Sequence, residues 1–204
     1  MTRSARRSTD IAEWAYTLSH PARWAAWLAL VSSSLYLLLG LQLNAAASAR
    51  AESELEAQGI RGTQVQAYPT LFQLHLRRIV VRQPDGIRVG WLSLWNGRPV
   101  AWTLVPNTEH DLIDRLRALP EGRVFEWFAM GQTRGRVFEE GSTTIVEIDD
   151  LRYGFPTQPA QGIWGIRARF DAEGRRLGSV ERIRRPLPLP AGQLLSQLVR
   201  FAFD

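Results

Sequence analysis

From Trp24 to Leu43 the chain reads WAAWLALVSSSLYLLLGLQL, twenty residues without a charge. As a helix rising 1.5 Å per residue, such a run matches the ~30 Å hydrocarbon core of a bilayer. It predicts one transmembrane helix over residues 24–43. Upstream, Ile11, Trp14, Ala15 and Leu18 recur at helical spacing. They predict a short helix over 9–19, flat on the membrane face, ended by His20-Pro21. Downstream, residues 44–58 (NAAASARAESELEAQ) are strong helix formers. They should extend the membrane helix into solvent as far as Gly59.

Beyond Gly59 the period drops to 2. Phe72, Leu74 and Leu76 alternate with Gln73, His75 and Arg77, and the alternation resumes one residue out of phase at Ile79 and Val81. This predicts a strand with a bulge at Arg77-Arg78. Pro84-Asp85-Gly86 turns into a second strand over 87–95. Asn96-Gly97 marks a hairpin to a third strand through Val100, Trp102 and Leu104. Pro99 delays that strand or places it at an edge.

Residues 108–119 predict a helix. Thr108 and Asp111 stand at capping-box spacing, and Leu112, Ile113, Leu116 and Leu119 share a face. The pentapeptide GRVFE occurs at 122–126 and at 135–139. An interval of 13 residues is too short for a solenoid repeat. Residues 122–128 are ambiguous between helix and strand. The second copy predicts a strand paired with Thr143–Ile148. Trp164, Ile166, Ala168 and Phe170 predict another, turned by residues 171–174 into 175–184. PLPLP at 186–190 is a stiff connector. Residues 191–203 form an amphipathic helix with Leu194, Leu195, Leu198, Val199 and Phe201 on its apolar side, expected to pack on the sheet.

The fold class is therefore α+β: one N-terminal transmembrane helix, then a mostly antiparallel sheet of six or seven strands with one or two packed helices. The boundaries are 1–23 (cytoplasmic segment), 24–43 (membrane helix), 44–59 (helical extension), 60–185 (extracytoplasmic domain) and 186–204 (connector and final helix).

Charge sets the orientation. Residues 1–23 carry Arg3, Arg6, Arg7 and Arg23, whereas the segment after the run is acidic at Glu52, Glu54 and Glu56. The positive-inside rule puts the N-terminus in the cytoplasm and the C-terminal domain across the membrane. Trp14, Tyr16, Trp24 and Trp27 suit an aromatic belt. A cleaved signal peptide is the competing reading, since AAASARA at 45–51 holds small-x-small sites. All 25 basic residues are Arg, as in GC-rich bacterial genomes, so the pI near 10.6 is weak evidence for nucleic acid. No nucleic-acid partner is expected. The absence of cysteine excludes disulfides and thiolate metal sites.

Candidate chemistry is sparse. His20, His75 and His110 stand at no metal-ligand spacing. There is no nucleophile elbow, P-loop or dinucleotide fingerprint, and no cofactor is expected. Ser32-Ser33-Ser34 fall inside the membrane run. Ala25, Ala29 and Ser33 recur every four residues, a stripe that suits packing against a partner membrane helix. Asp149-Asp150-Leu151-Arg152 is the densest polar cluster. In extended backbone Asp150 and Arg152 share a face, for a salt bridge or a ligand. Arginines 77, 78, 82, 88, 134, 136, 167 and 169 would give the sheet a solvated basic side, with anionic headgroups as the functional alternative.

Three segments in order resemble the YdjM-type family of bacterial inner-membrane proteins, described as membrane-bound metal-dependent hydrolases. They are Tyr68-Pro69-Thr70-Leu71-Phe72 leading to Arg78-Ile79-Val80-Val81, Phe125-x-Trp127-Phe128-Ala129-x-Gly131, and Asp150-Leu151-Arg152-Tyr153-Gly154. The resemblance covers about residues 25–170. In that family these segments belong to the part outside the membrane, and the hydrolytic centre belongs to several membrane helices bearing His and Asp. This chain carries one such helix without those motifs, so no catalytic or metal-binding residue transfers. The resemblance implies a membrane-anchored accessory domain that contacts a membrane-protein partner, with Asp150, Arg152, Tyr153 and Arg78 as candidate docking residues. The alternative is a hydrolase of an envelope substrate, active only with a partner that supplies the missing helices.

Overall fold

The computed structural model describes residues 20–60, 64–70, 73–186 and 188–203. The helix expected over 9–19 lies outside them. The chain divides into two compact units, residues 1–42 and 43–204.

In the first unit the described residues belong to helix α1 (His20–Ala57). Pro21 sits in its first turn, where a missing N–H is no loss. Every side chain from Ala22 to Leu39 is exposed, Trp24, Trp27, Leu35 and Leu38 among them. A helix on a soluble surface is apolar on one stripe; this one is apolar all round. It is long and apolar enough to cross a membrane. Ala25, Ala29 and Ser33 are exposed on it, and Ser33 Oγ donates to the Leu30 carbonyl at 2.9 Å.

Within the second unit α1 changes character. Ala47, Ala51 and Leu55, four residues apart, are fully buried. They pack on the first sheet, whose strands are β1 (Gln64–Thr70), β2 (Gln73–Gln83), β3 (Gly86–Ser93) and β4 (Thr103–Pro106), in that order and antiparallel. Ala67, Ile79, Val81, Leu92 and Val100 complete this core. Arg50 donates to the Ser93 carbonyl at 3.0 Å, and Glu54 Oε2 accepts from Val100 N at 2.7 Å. The helix ends where Gly59 adopts φ +78° and Ile60 N returns to the Leu55 carbonyl at 2.9 Å.

The opposite face of this sheet, through Val80, Ile87, Val89 and Val105, packs on Leu151. Strand β2 is thus covered on both sides, and His75 to Val81 are all buried. This corrects the expected bulge at Arg77-Arg78. Those residues keep register with Leu92 and Trp91, and the irregularity lies between Pro69 and Thr70. The apparent slip of phase arose because Arg77 and Arg78 enter opposite, equally covered faces. Strand β4 starts late and is an edge, as Pro99 suggested.

The second sheet holds β5 (Thr133–Glu140), β6 (Thr143–Asp150), β7 (Trp164–Phe170) and β8 (Arg176–Arg184), again antiparallel and in order. Helices α2 (Asp111–Ala118) and α3 (Pro120–Phe128) cover one face. Ile113 and Leu116 pack there on Val146, Ile148, Ile166, Ala168 and Phe170. The α2 cap differs from expectation: His110 Nδ1, not Thr108, accepts from a first-turn amide, Leu112 N at 3.2 Å. The ambiguous residues 122–128 are helical. Helix α4 (Ala191–Phe203) approaches β2 and β3, burying Leu194, with the Phe203 ring 5.2 Å from those of His75 and Trp95. The architecture is α+β with two four-stranded sheets where the alternation suggested one larger sheet.

Candidate functional site

The three segments singled out by motif meet at one place. Strand β6 ends at Asp150, and the chain turns so that Arg152 folds back over it. Asp150 Oδ1 accepts from Arg152 N at 2.9 Å and Nε at 3.0 Å; Oδ2 accepts from Arg152 Nη2 at 2.7 Å. Trp164 Nε1, on the adjacent strand, donates to Oδ2 at 3.0 Å. The pair spans a turn, not one face of a strand as alternation implied. Both residues are buried, and the acid's lone pairs are filled.

The guanidinium of Arg152 lies 4.9 Å from the centre of the Phe128 ring and 5.4 Å from that of Tyr153. Tyr153 in turn touches Trp164 and Tyr68, at ring-centre distances of 5.1 and 6.1 Å. Burial pushes the Tyr68 hydroxyl up to about 12, against the pull of Arg152. Arg78 clamps this turn from β2. It is 1% exposed and donates Nε to the Leu151 carbonyl and Nη2 to the Pro159 carbonyl, both at 2.7 Å. Burial pushes its pKa down, offset in part by Asp150. Gly154 is required here: a Cβ would stand 2.4 Å from the Gln161 carbonyl oxygen and 2.7 Å from Arg78 Nη1.

What this cluster shows to solvent is aromatic. Trp127 is 81% exposed, with Phe128 and Met130 beside it in the chain also exposed. Met130 holds φ +54°, which a side chain rarely adopts.

The expected solvated basic side does not exist as one face. Arg77 and Arg78 are buried in the first sheet, whereas Arg134, Arg136, Arg167 and Arg169 share the face of the second sheet away from α2 and α3. There, Glu147 on the central strand β6 is flanked directly by Arg136 and Arg167. Sequence reading passed over Glu147. The signal was period-2 charge on three successive strands: R-G-R, E-I-D and R-A-R.

The histidines stay apart in role. His75, from the polar side of the alternation, is buried and stacked on Trp95 at 3.8 Å; His110 caps α2. Among the described residues, no group of three or more His, Cys, Asp or Glu is placed to hold a metal ion. No family model matches the chain, and no curated protein or solved structure does either.

Proposed function

We propose that this chain is a membrane-anchored interaction module. Its helix over 24–43 tethers a C-terminal domain on the extracytoplasmic side of a bacterial inner membrane, and the Arg78–Asp150–Arg152–Tyr153 cluster backs a docking surface for a protein partner that Trp127, Phe128 and Met130 present. The observation that carries this reading is the exposed Trp127, Phe128 and Met130 beside a buried, internally neutralised ion pair. Exposed aromatics and methionine, backed by fixed arginine, have the composition of interface hot spots. The YdjM-type resemblance enters as part of this proposal: the chain corresponds to the outer part of such a protein.

The core supports an uncleaved anchor over a signal peptide. Cleavage after any small-x-small site within AAASARA would remove Ala47, and after the last of them Ala51 as well, both fully buried against the first sheet.

Two measurements test the proposal. The chain has no cysteine, so a single Cys at Glu173 reports topology. Labelling of Glu173→Cys in intact cells by an impermeant maleimide is expected; protection there with labelling of Ser4→Cys overturns the orientation. A photo-crosslinking residue at Trp127 should give one discrete membrane-protein adduct, weakened by Ala29→Leu with Ser33→Leu. No adduct at 127, or stoichiometric metal uptake by the purified chain, overturns the non-catalytic docking role.

A further inference from the structure

The polar face of the second sheet carries more positive charge than its carboxylates neutralise. Glu147 Oε1 accepts from Arg167 Nε at 2.9 Å; Oε2 accepts from Arg136 Nη2 and Arg185 Nη2, each at 2.6 Å. Arg185 Nη2 also reaches Asp149 Oδ1 at 2.7 Å, in the space left because the residue opposite Asp149 on β7 is Gly165. Arg134 joins them from β5. Among the described residues it has no carboxylate within ion-pair distance, and its Nη1 donates to the Ala160 carbonyl at 3.0 Å. Four guanidiniums therefore surround two carboxylates.

The imbalance has physical marks. Burial and repulsion from Arg136 and Arg185 push the Arg134 pKa down. The Nε–H groups of Arg134, Arg136 and Arg185 are buried and meet no acceptor among the described residues. A structural ion-pair network gains by matching charge and filling donors. This one leaves both surplus charge and surplus donors. Arg134, Arg136, Glu147, Arg167 and Arg185 also line a cleft of about 580 Å³, together with Thr108 and Phe138. Arg136, Arg167 and Arg185 are each 20–29% exposed, so part of each side chain meets solvent.

We propose that this cleft is an oxyanion site for a phosphate group. Guanidiniums that converge from β5, β7 and the residue after β8 match the several terminal oxygens of phosphate better than the two of a carboxylate. Glu147 and Asp149 hold the forks in place and set the surplus charge. The phosphate comes either free in solution or on an anionic lipid headgroup.

The full-length protein in nanodiscs decides it. In phosphatidylcholine discs, inorganic phosphate should bind by titration calorimetry and raise the melting temperature above that in chloride of equal ionic strength. Arg134→Gln, which leaves the Glu147 pairs intact, should weaken binding about tenfold, the loss of one charge-assisted donor pair. Arg134→Lys should recover part of it. Phosphatidylglycerol discs separate the sources. A headgroup ligand would compete and weaken phosphate binding in the parent, while a free-phosphate site would bind equally in both discs. Should Arg134→Gln fail to fold, Arg167→Gln serves the same purpose from β7. The proposal is overturned if phosphate acts no differently from chloride, or if both Gln variants bind it as the parent does.

Discussion

Removal of the Asp150 carboxylate strands a guanidinium. Arg152 would keep its stacking on Phe128 and Tyr153 but lose the acid that receives three of its N–H bonds. Breaking a buried pair from one side costs about 3–5 kcal/mol. Asp150→Ala should show a loss of that order in urea unfolding, and the Arg152→Met variant a smaller one, because it leaves a carboxylate that still accepts from Trp164. Glu147 gives a pH-dependent counterpart. Burial would raise its pKa, but hydrogen bonds from Arg185 and Arg167 and the charge of Arg136 hold it below the ordinary carboxylate value. Stability from a depressed carboxylate is present above its unfolded value, ~4.3, and is lost as pH falls through the folded value. Asp149 runs the other way: burial outweighs Arg136 and Arg185 and raises it, so its charge weakens the fold at neutral pH and acid relieves it. Glu147→Gln should therefore cost several kcal/mol (~3–5) at pH 7. The gap to the parent should narrow as pH falls from the unfolded value of ~4.3 through the lower folded one, where the parent's own Glu147 takes up a proton.

At the scale of elements, legibility depended on whether charge kept to one face. Strands β6 and β7 read cleanly because the face under α2 and α3 is apolar and the other carries the charge, so Val146, Ile148, Ile166 and Ala168 alternate with Glu147, Asp149, Arg167 and Arg169. Strand β2 misled because Arg77 and Arg78 carry charge into both of its faces; a sequence does not say that Arg78 has the Leu151 and Pro159 carbonyls and the Trp91 ring waiting for it. The Asp150–Arg152 pair was legible as a pair, but not as a turn held by Trp164, Arg78 and Phe128, all of which arrive from elsewhere in the chain. The joint between α2 and α3 was equally silent. A Cβ on Gly122 would lie 2.0 Å from the Leu116 carbonyl oxygen, so the two helices meet only because that position is bare. Gly122→Ala should force them apart and destabilise by more than the ~1–3 kcal/mol of ordinary overpacking, read as a lowered melting temperature with helix content retained.

At the scale of the whole molecule, the apolar run and the α+β class were readable from period and length alone. The separation into two sheets was not, because alternation marks a strand's faces and not its neighbours. The role of residues 47–55 was also hidden: their helix propensity was evident, their burial was not. A chain starting at Glu52 should leave Ile79, Val81 and Leu92 without the cover of Ala47 and Ala51. Amides of β2 and β3 should then exchange with solvent far faster than in the parent, while those of β6 and β7 stay protected.

The stack of His75 on Trp95, with ring planes only 6° apart, makes this corner optically addressable. A neutral imidazole barely quenches an indole in contact with it, whereas an imidazolium quenches strongly. Burial and the charge of Arg77 hold the His75 pKa below its ordinary value. Trp95 emission should thus stay bright through neutral pH and dim only under acid, and His75→Gln should abolish that dimming. The corner formed by β2, the β3 turn and the end of α4 thereby carries its own spectroscopic gauge, which needs no added dye.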